Sequence, residues 1–144
     1  MNLFGMLELS GSALGAERQR AEVVASNMAN AQTTRTAAGG PYRRQMVVFQ
    51  AARSPRFSLA LGGMHRETSS AVRVAAVLAD TRPPLLRYEP GHPDADKQGY
   101  VAYPEVNPIE EMTDLLSAVR AYELNASAVQ ATKGMITQSL DLLR

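Results

Sequence analysis

Residues 108–144 read PIEEMTDLLSAVRAYELNASAVQATKGMITQSLDLLR, and the spacing of their apolar positions decides the fold. Taken alternately three and four apart, they are Met112, Leu115, Val119, Tyr122, Ala126, Val129, Lys133, Ile136, Leu140 and Leu143. Only Lys133 breaks the apolar run. This is the 3.5-residue repeat of a coiled-coil seam, sustained for about four heptads. The start signals agree: Asn107 can cap free amides, Pro108 suits the first helical position, and Glu110, Glu111 and Asp114 favour the positive dipole end. Such a helix is ~55 Å long, about twice the diameter of a small domain. A stripe of that length cannot bury itself within its own chain and needs a partner.

Residues 1–32 form a second helical segment. Its heptad positions are Leu3, Leu7, Ser10, Leu14, Glu17, Ala21, Val24, Met28 and Ala31, a thinner seam than the first. Gly5, Gly11 and Gly15 each cost a helix about 1 kcal/mol relative to Ala, so the segment is expected to be marginal alone. Asn27 and Asn30 are expected to end or cap it.

Between the helices, Gly39-Gly40-Pro41 breaks the chain and a short strand is expected at 45–50. Residues 51–66, with Pro55 and Gly62-Gly63, read as irregular. Residues 71–80 read as a longer strand, with Val72, Val74 and Ala76 on one face and Arg73, Ala75 and Val77 on the other. Residues 85–88 and 100–103 are two further short strands, on either side of the Pro90-Gly91-His92-Pro93 turn. The predicted fold is mainly α with a small β insert. Helices 1–32 and 107–144 pair as a coiled coil, and 33–106 is loop plus β-rich insert.

Composition narrows the function. The apolar share of 45% with 20% charged residues belongs to a folded chain, and a net charge of +1 recommends neither nucleic acid nor membrane as partner. The charges are uneven, since residues 33–75 carry seven Arg against Glu67 alone. That tract reads as a solvated basic face, with a surface for an acidic neighbour as the second reading. Cysteine is absent, so disulfides and thiolate metal sites are excluded. The amino-terminal stretch has no basic lead or apolar run of secretory type, so a location outside the cytoplasm would need a dedicated export machine.

Catalytic equipment is scarce. His65 and His92 lie in different loops, neither with the acid and Ser of a nucleophile–base arrangement. Gly11–Gly15 lacks the Lys-Ser/Thr and the preceding strand of a phosphate-binding loop. His92, Asp94 and Asp96 are hard ligands at alternate positions, but an acidic turn rich in Pro and Gly reads first as a solvated turn. The Glu110/Glu111 pair is accounted for by the helix dipole. Tyr42 among Arg35, Arg43 and Arg44 is a single interleaved aromatic with no nucleic-acid motif beside it. No enzyme activity, catalytic residue, cofactor, metal, nucleic acid or small-molecule substrate is expected.

The end segments carry a resemblance. Ala25-Ser26-Asn27-Met28-Ala29-Asn30-Ala31-Gln32-Thr33-Thr34 with Gly39-Gly40-Pro41-Tyr42-Arg43-Arg44 resembles the amino-terminal signature of bacterial flagellar rod and hook axial proteins. Gly91-His92-Pro93-Asp94-Ala95-Asp96, Gly99-Tyr100-Val101-Ala102-Tyr103-Pro104, Val106-Asn107-Pro108 and Arg120-Ala121-Tyr122-Glu123-Leu124-Asn125 are similar to the proximal-rod members of that family. Met28 stands where Leu is common, and residues 51–87 match nothing in the pattern.

The resemblance implies a structural subunit of the flagellar basal-body rod that stacks helically and transmits torque across the periplasm for motility. It implies export through the flagellar type III apparatus. The implied partners are copies of the chain, other rod proteins, the rod-base adaptor and the inner-membrane ring. The packing seam is expected at Leu7, Leu14, Val24, Met28, Leu115, Val119, Tyr122, Val129, Ile136 and Leu140. Asn27, Asn30 and Asn107 are expected as caps. The alternative is a soluble coiled-coil adaptor whose seam closes into a dimer.

Overall fold

The computed structural model describes residues 3–53 and 70–142. Helix α1 spans Leu3–Ala29 and helix α2 spans Pro108–Asp141. Between them come β1 (Gln45–Arg53), β2 (Ser70–Ala79), β3 (Leu85–Tyr88) and β4 (Tyr100–Tyr103). Two long helices with a small β insert are what the seams and breakers predict.

Helix α2 starts where its cap chemistry dictates. Asn107 has extended backbone (φ −95°, ψ 109°), and its side chain accepts from the Ile109 amide at 3.1 Å. Pro108 follows at the first helical position, and Glu110 Oε1 accepts from Asn107 Nδ2. Asn30 closes α1 from the other side, its amide donating to the Ser26 carbonyl at 2.9 Å. Asn27 does not cap. It lies two residues inside the end of α1 and is buried, its side chain turned to Gln45 and Glu111.

The helices run antiparallel. Glu111, at the start of α2, meets Asn27, near the end of α1, and Thr132 further along α2 is still buried. Only α1 packs on α2 among these elements, so α1 must run back along it to cover Thr132. Beyond about Ile136, α2 therefore extends past Leu3, and Leu140 and Leu142 are exposed.

On α1 the expected seam is turned inward: Val24 is buried, and Leu7, Leu14 and Met28 are half-buried. On α2 the inward face is rotated one position from the expected one. Glu111, Ala118 and Thr132 are buried and Asn125 is half-buried, whereas Met112, Val119 and Lys133 face outward. Small side chains let the helix backbones approach, and this excludes the bulkier seam from the contact. Only part of the 3.5-residue stripe on α2, Leu115, Ala126, Val129 and Ile136, thus borders the intramolecular interface.

Strands β1 and β2 pair antiparallel from Gln45↔Ala79 to Arg53↔Ser70, with a bulge between Val48 and Phe49. The strand reading stopped at Gln50, but β1 continues because Ala51, Ala52 and Arg53 find partners in Val72, Ala71 and Ser70. In β2, Val72, Val74 and Ala76 are half-buried while Arg73, Ala75 and Val77 are exposed, as alternation requires. The hairpin lies on α1, where Ser12 Oγ accepts from the Val72 amide at 2.9 Å. The irregular segment expected around Pro55 and Gly62-Gly63 lies outside the described residues, as does Leu143.

Strands β3 and β4 form a separate hairpin that packs on neither helix. Its ties run through loops: Thr34 Oγ1 donates to Asp94 at 2.8 Å, and Arg82 lies 3.7 Å from Glu105. Tyr88 and Tyr100 meet edge to face, and Arg87 stacks over Tyr103. Apolar burial is sparse. Val24 and Val101 are the largest buried apolar side chains, with Ala16, Ala118 and Pro104 beside them in the buried set.

Candidate assembly surface

Two features stand out on the helix pair: an apolar stripe left open on α2, and a buried polar cluster at its start. The stripe follows from the rotation of α2. With small residues turned to α1, Ile109, Met112, Leu116, Val119, Tyr122 and Leu124 are exposed on the first half, and Met135 and Leu140 on the second. Leu124 keeps 72% of its surface and Leu140 keeps 61%. Of the expected seam residues on α2, Leu115, Val129 and Ile136 are half-buried along the edge of the contact, and Val119, Tyr122 and Leu140 are exposed. The structure therefore splits that set: the α1 members are buried or half-buried, and the α2 members divide into three half-buried and three exposed. Leu116 and Leu124 were missed because they fall off the 3.5-residue spacing.

The cluster joins three elements. The Asn27 amide donates to Glu111 Oε2 at 2.9 Å and to the Gln45 carbonyl at 2.8 Å, while its carbonyl oxygen accepts from the Gln45 amide at 2.8 Å. Tyr42 donates its hydroxyl to the same Asn27 oxygen at 3.0 Å. Arg44 Nε donates to Glu111 Oε1, and its far nitrogen lies 3.6 Å from Asp114. Arg20 of α1 reaches Asp114 at 3.5 Å and Glu17 at 3.6 Å. Glu111 is fully buried, so the helix dipole alone does not account for it. A buried carboxylate needs partners, and here a guanidinium and an amide supply them.

The Arg-rich middle is partly consumed the same way. Arg44 pairs with Glu111, Arg35 lies 3.6 Å from Asp94, and Arg73 donates to Gln50 at 2.8 Å. Acids from distant segments thus take up Arg35 and Arg44.

The alternate His92, Asp94 and Asp96 side chains are used by their own turns. His92 Nδ1 accepts from the Asp94 amide, Asp94 accepts from Thr34, and Asp96 accepts from the amides of Gln98 and Tyr100. Among the described residues no group of three or more acidic, His or Cys side chains is placed to hold a metal. No helix among them is long and apolar enough to cross a membrane.

Comparison with known proteins places the chain. The family model described as Flagella basal body rod protein matches residues 7–35, and that described as Flagellar basal body rod FlgEFG protein C-terminal matches residues 97–142. The flagellar basal-body rod protein FlgC of Bacillus subtilis is 41% identical, over 99% of this chain and 99% of its own length. The FlgC of Borreliella burgdorferi is 38% identical over 100% and 99%, and that of Escherichia coli O6:H1 is 40% identical over 99% and 98%. The chain belongs to the FlgC family.

FlgC-family chains are structural rod subunits of the flagellar basal body, not enzymes. The resemblance read from the two end segments overlaps the matched regions, with residues 39–44 and 91–96 lying outside them. One holds most of α1 and the start of the following loop, and the other holds β4 and α2. The cluster draws Asn27 and Glu111 from these regions, and Tyr42 and Arg44 from between them.

Proposed function

We propose that this rod subunit polymerises helically, with the open stripe on α2 as a principal contact with its neighbours, and that the assembly transmits torque across the periplasm for motility. The observation that carries this reading is the row of exposed apolar side chains from Met112 to Leu140 on a helix that outruns its partner. Burying one such side chain contributes about 1.5–3 kcal/mol, so several together offset the ordering of a long helix. Contacts between unlike faces build open helical arrays when the rotation does not close. Copies of the chain, other rod proteins, the rod-base adaptor and the inner-membrane ring are its partners in this reading. The flagellar type III apparatus is its exit route.

The decisive experiment replaces exposed stripe residues with Asp (Val119→Asp, Leu140→Asp) and scores basal-body incorporation, motility and the unfolding midpoint of the purified chain. Loss of incorporation with an unchanged midpoint supports the reading. Normal motility in both variants refutes it. A concentration-independent dimer by light scattering favours the adaptor alternative.

A further inference from the structure

The face of α2 turned to α1 repeats every seven residues as Glu111, Ala118, Asn125 and Thr132, and the next in the series, Ser139, is exposed where α2 outruns α1. Its members behave differently. Asn125 donates to the Ala121 carbonyl at 2.8 Å, Thr132 to Ala128 at 2.8 Å and Ser139 to Met135 at 2.8 Å, so each satisfies itself within α2. Ala118 has nothing to bond. Only Glu111 reaches out, to Asn27 on α1 and to Arg44 beside β1. Past its first turns, the most buried positions of α2 are therefore small and bond within α2, with Leu115, Val129 and Ile136 half-buried beside them.

We infer that Glu111, held by Asn27 and Arg44, is the register key of the helix pair: with the longer, half-exposed Arg20–Asp114 contact beside it, it fixes how far α2 is advanced along α1. A buried polar residue that bonds across a helix interface sets alignment because other alignments part it from its partners and leave buried polar groups unpaired. A shift of one heptad moves α2 by about 10 Å. Such a shift puts Ala118 against Asn27 and Arg44 and leaves Glu111 outside. The chain leading into α2 opposes it through the Thr34–Asp94, Arg35–Asp94 and Arg82–Glu105 side-chain contacts, while the β3–β4 hairpin itself packs on neither helix. The key thereby sets how much of α2 protrudes beyond α1. This assignment stands on contacts within one chain and does not depend on the assembly reading.

The chain has no cysteine, so two introduced ones report distance without background. Spin labels at Gln19→Cys and Gln138→Cys, both exposed positions, read the register by pulsed electron resonance in the full chain. Moving the key, with Glu111→Ala and Ala118→Glu together, is expected to shorten the distance by up to about 10 Å. An unshifted maximum overturns the inference. Should that variant fail to fold, Glu111→Met with Arg44→Met removes the key while supplying apolar replacements. It is expected to split or broaden the distribution, and a maximum as narrow as the parent's overturns the inference equally.

Discussion

Asn27 and Glu111 stand 84 positions apart in sequence and share a 2.9 Å hydrogen bond that joins the end of α1 to the start of α2. The same carboxylate takes Arg44 on its other oxygen, and the Asn27 side chain takes both backbone groups of Gln45. Helix, helix and strand therefore meet at two side chains.

Breaking this junction on one side strands a cation. Glu111→Ala leaves Arg44, largely buried, with only the 3.6 Å contact to Asp114. Denaturant unfolding of the full chain should show a loss of about 3 kcal/mol. Glu111→Gln, which can still accept from Asn27, should lose less.

Gly99 has φ +84°, and a Cβ there would lie 2.9 Å from Tyr88 Cε2 and 3.2 Å from Pro90 Cβ. Gly99→Ala therefore combines an unfavourable backbone with a clash in the β3–β4 hairpin. Amide exchange should accelerate across that hairpin, by at least fivefold for a penalty of about 1 kcal/mol. Exchange in the helices should stay as it was.

Stability should respond to pH at both extremes. Asp80 accepts from the Arg82 amide at 2.9 Å and from its guanidinium at 2.6 Å, which hold the carboxyl below its ordinary value. Its contribution is complete above about pH 4 and is lost as pH falls through the lowered folded value. At the other end, Tyr103 donates to Glu89 at 2.9 Å, and that bond raises the phenol. Its contribution is complete below about pH 10 and is lost as pH rises through the raised value. Unfolding midpoints across pH should show a shallower acid limb in Asp80→Asn and a shallower alkaline limb in Tyr103→Phe.

Lys133 is exposed between Val129 and Ile136 on α2. Lys133→Leu should leave the unfolding free energy within about 0.5 kcal/mol. It should strengthen self-association tenfold or more by sedimentation, because one buried Leu contributes ~1.5–3 kcal/mol. Unchanged association would place Lys133 off the contact.

The elements were legible from local chemistry. The cap at Asn107, the alternation in β2 and the break at Gly39-Gly40-Pro41 act within a few residues, and the structure follows each. The cluster was not legible, because Tyr42, Arg44 and Glu111 become neighbours only when α1, β1 and α2 close together. Periodicity marked a face of α2 one position away from the buried one, so that Leu115, Val129 and Ile136 border the contact while Met112, Val119 and Leu140 stay open. The strongest apolar repeat partly marks what is left open, and the face used within the chain is the small-residue heptad one step away. Glu111 to Thr132 carry that second repeat in plain view, but a search weighted by hydrophobicity passes over Ala, Asn and Thr.

Because α1 and α2 run in opposite directions, residues 30 and 107 leave the pair at the same end. From that end β1 and β2 fold back along α1 as far as Ser12, like a splint laid on one side of it. Because Arg44 and Gln45 at the root of that splint hold Glu111 and Asn27, a change made there is felt where the two helices are fastened.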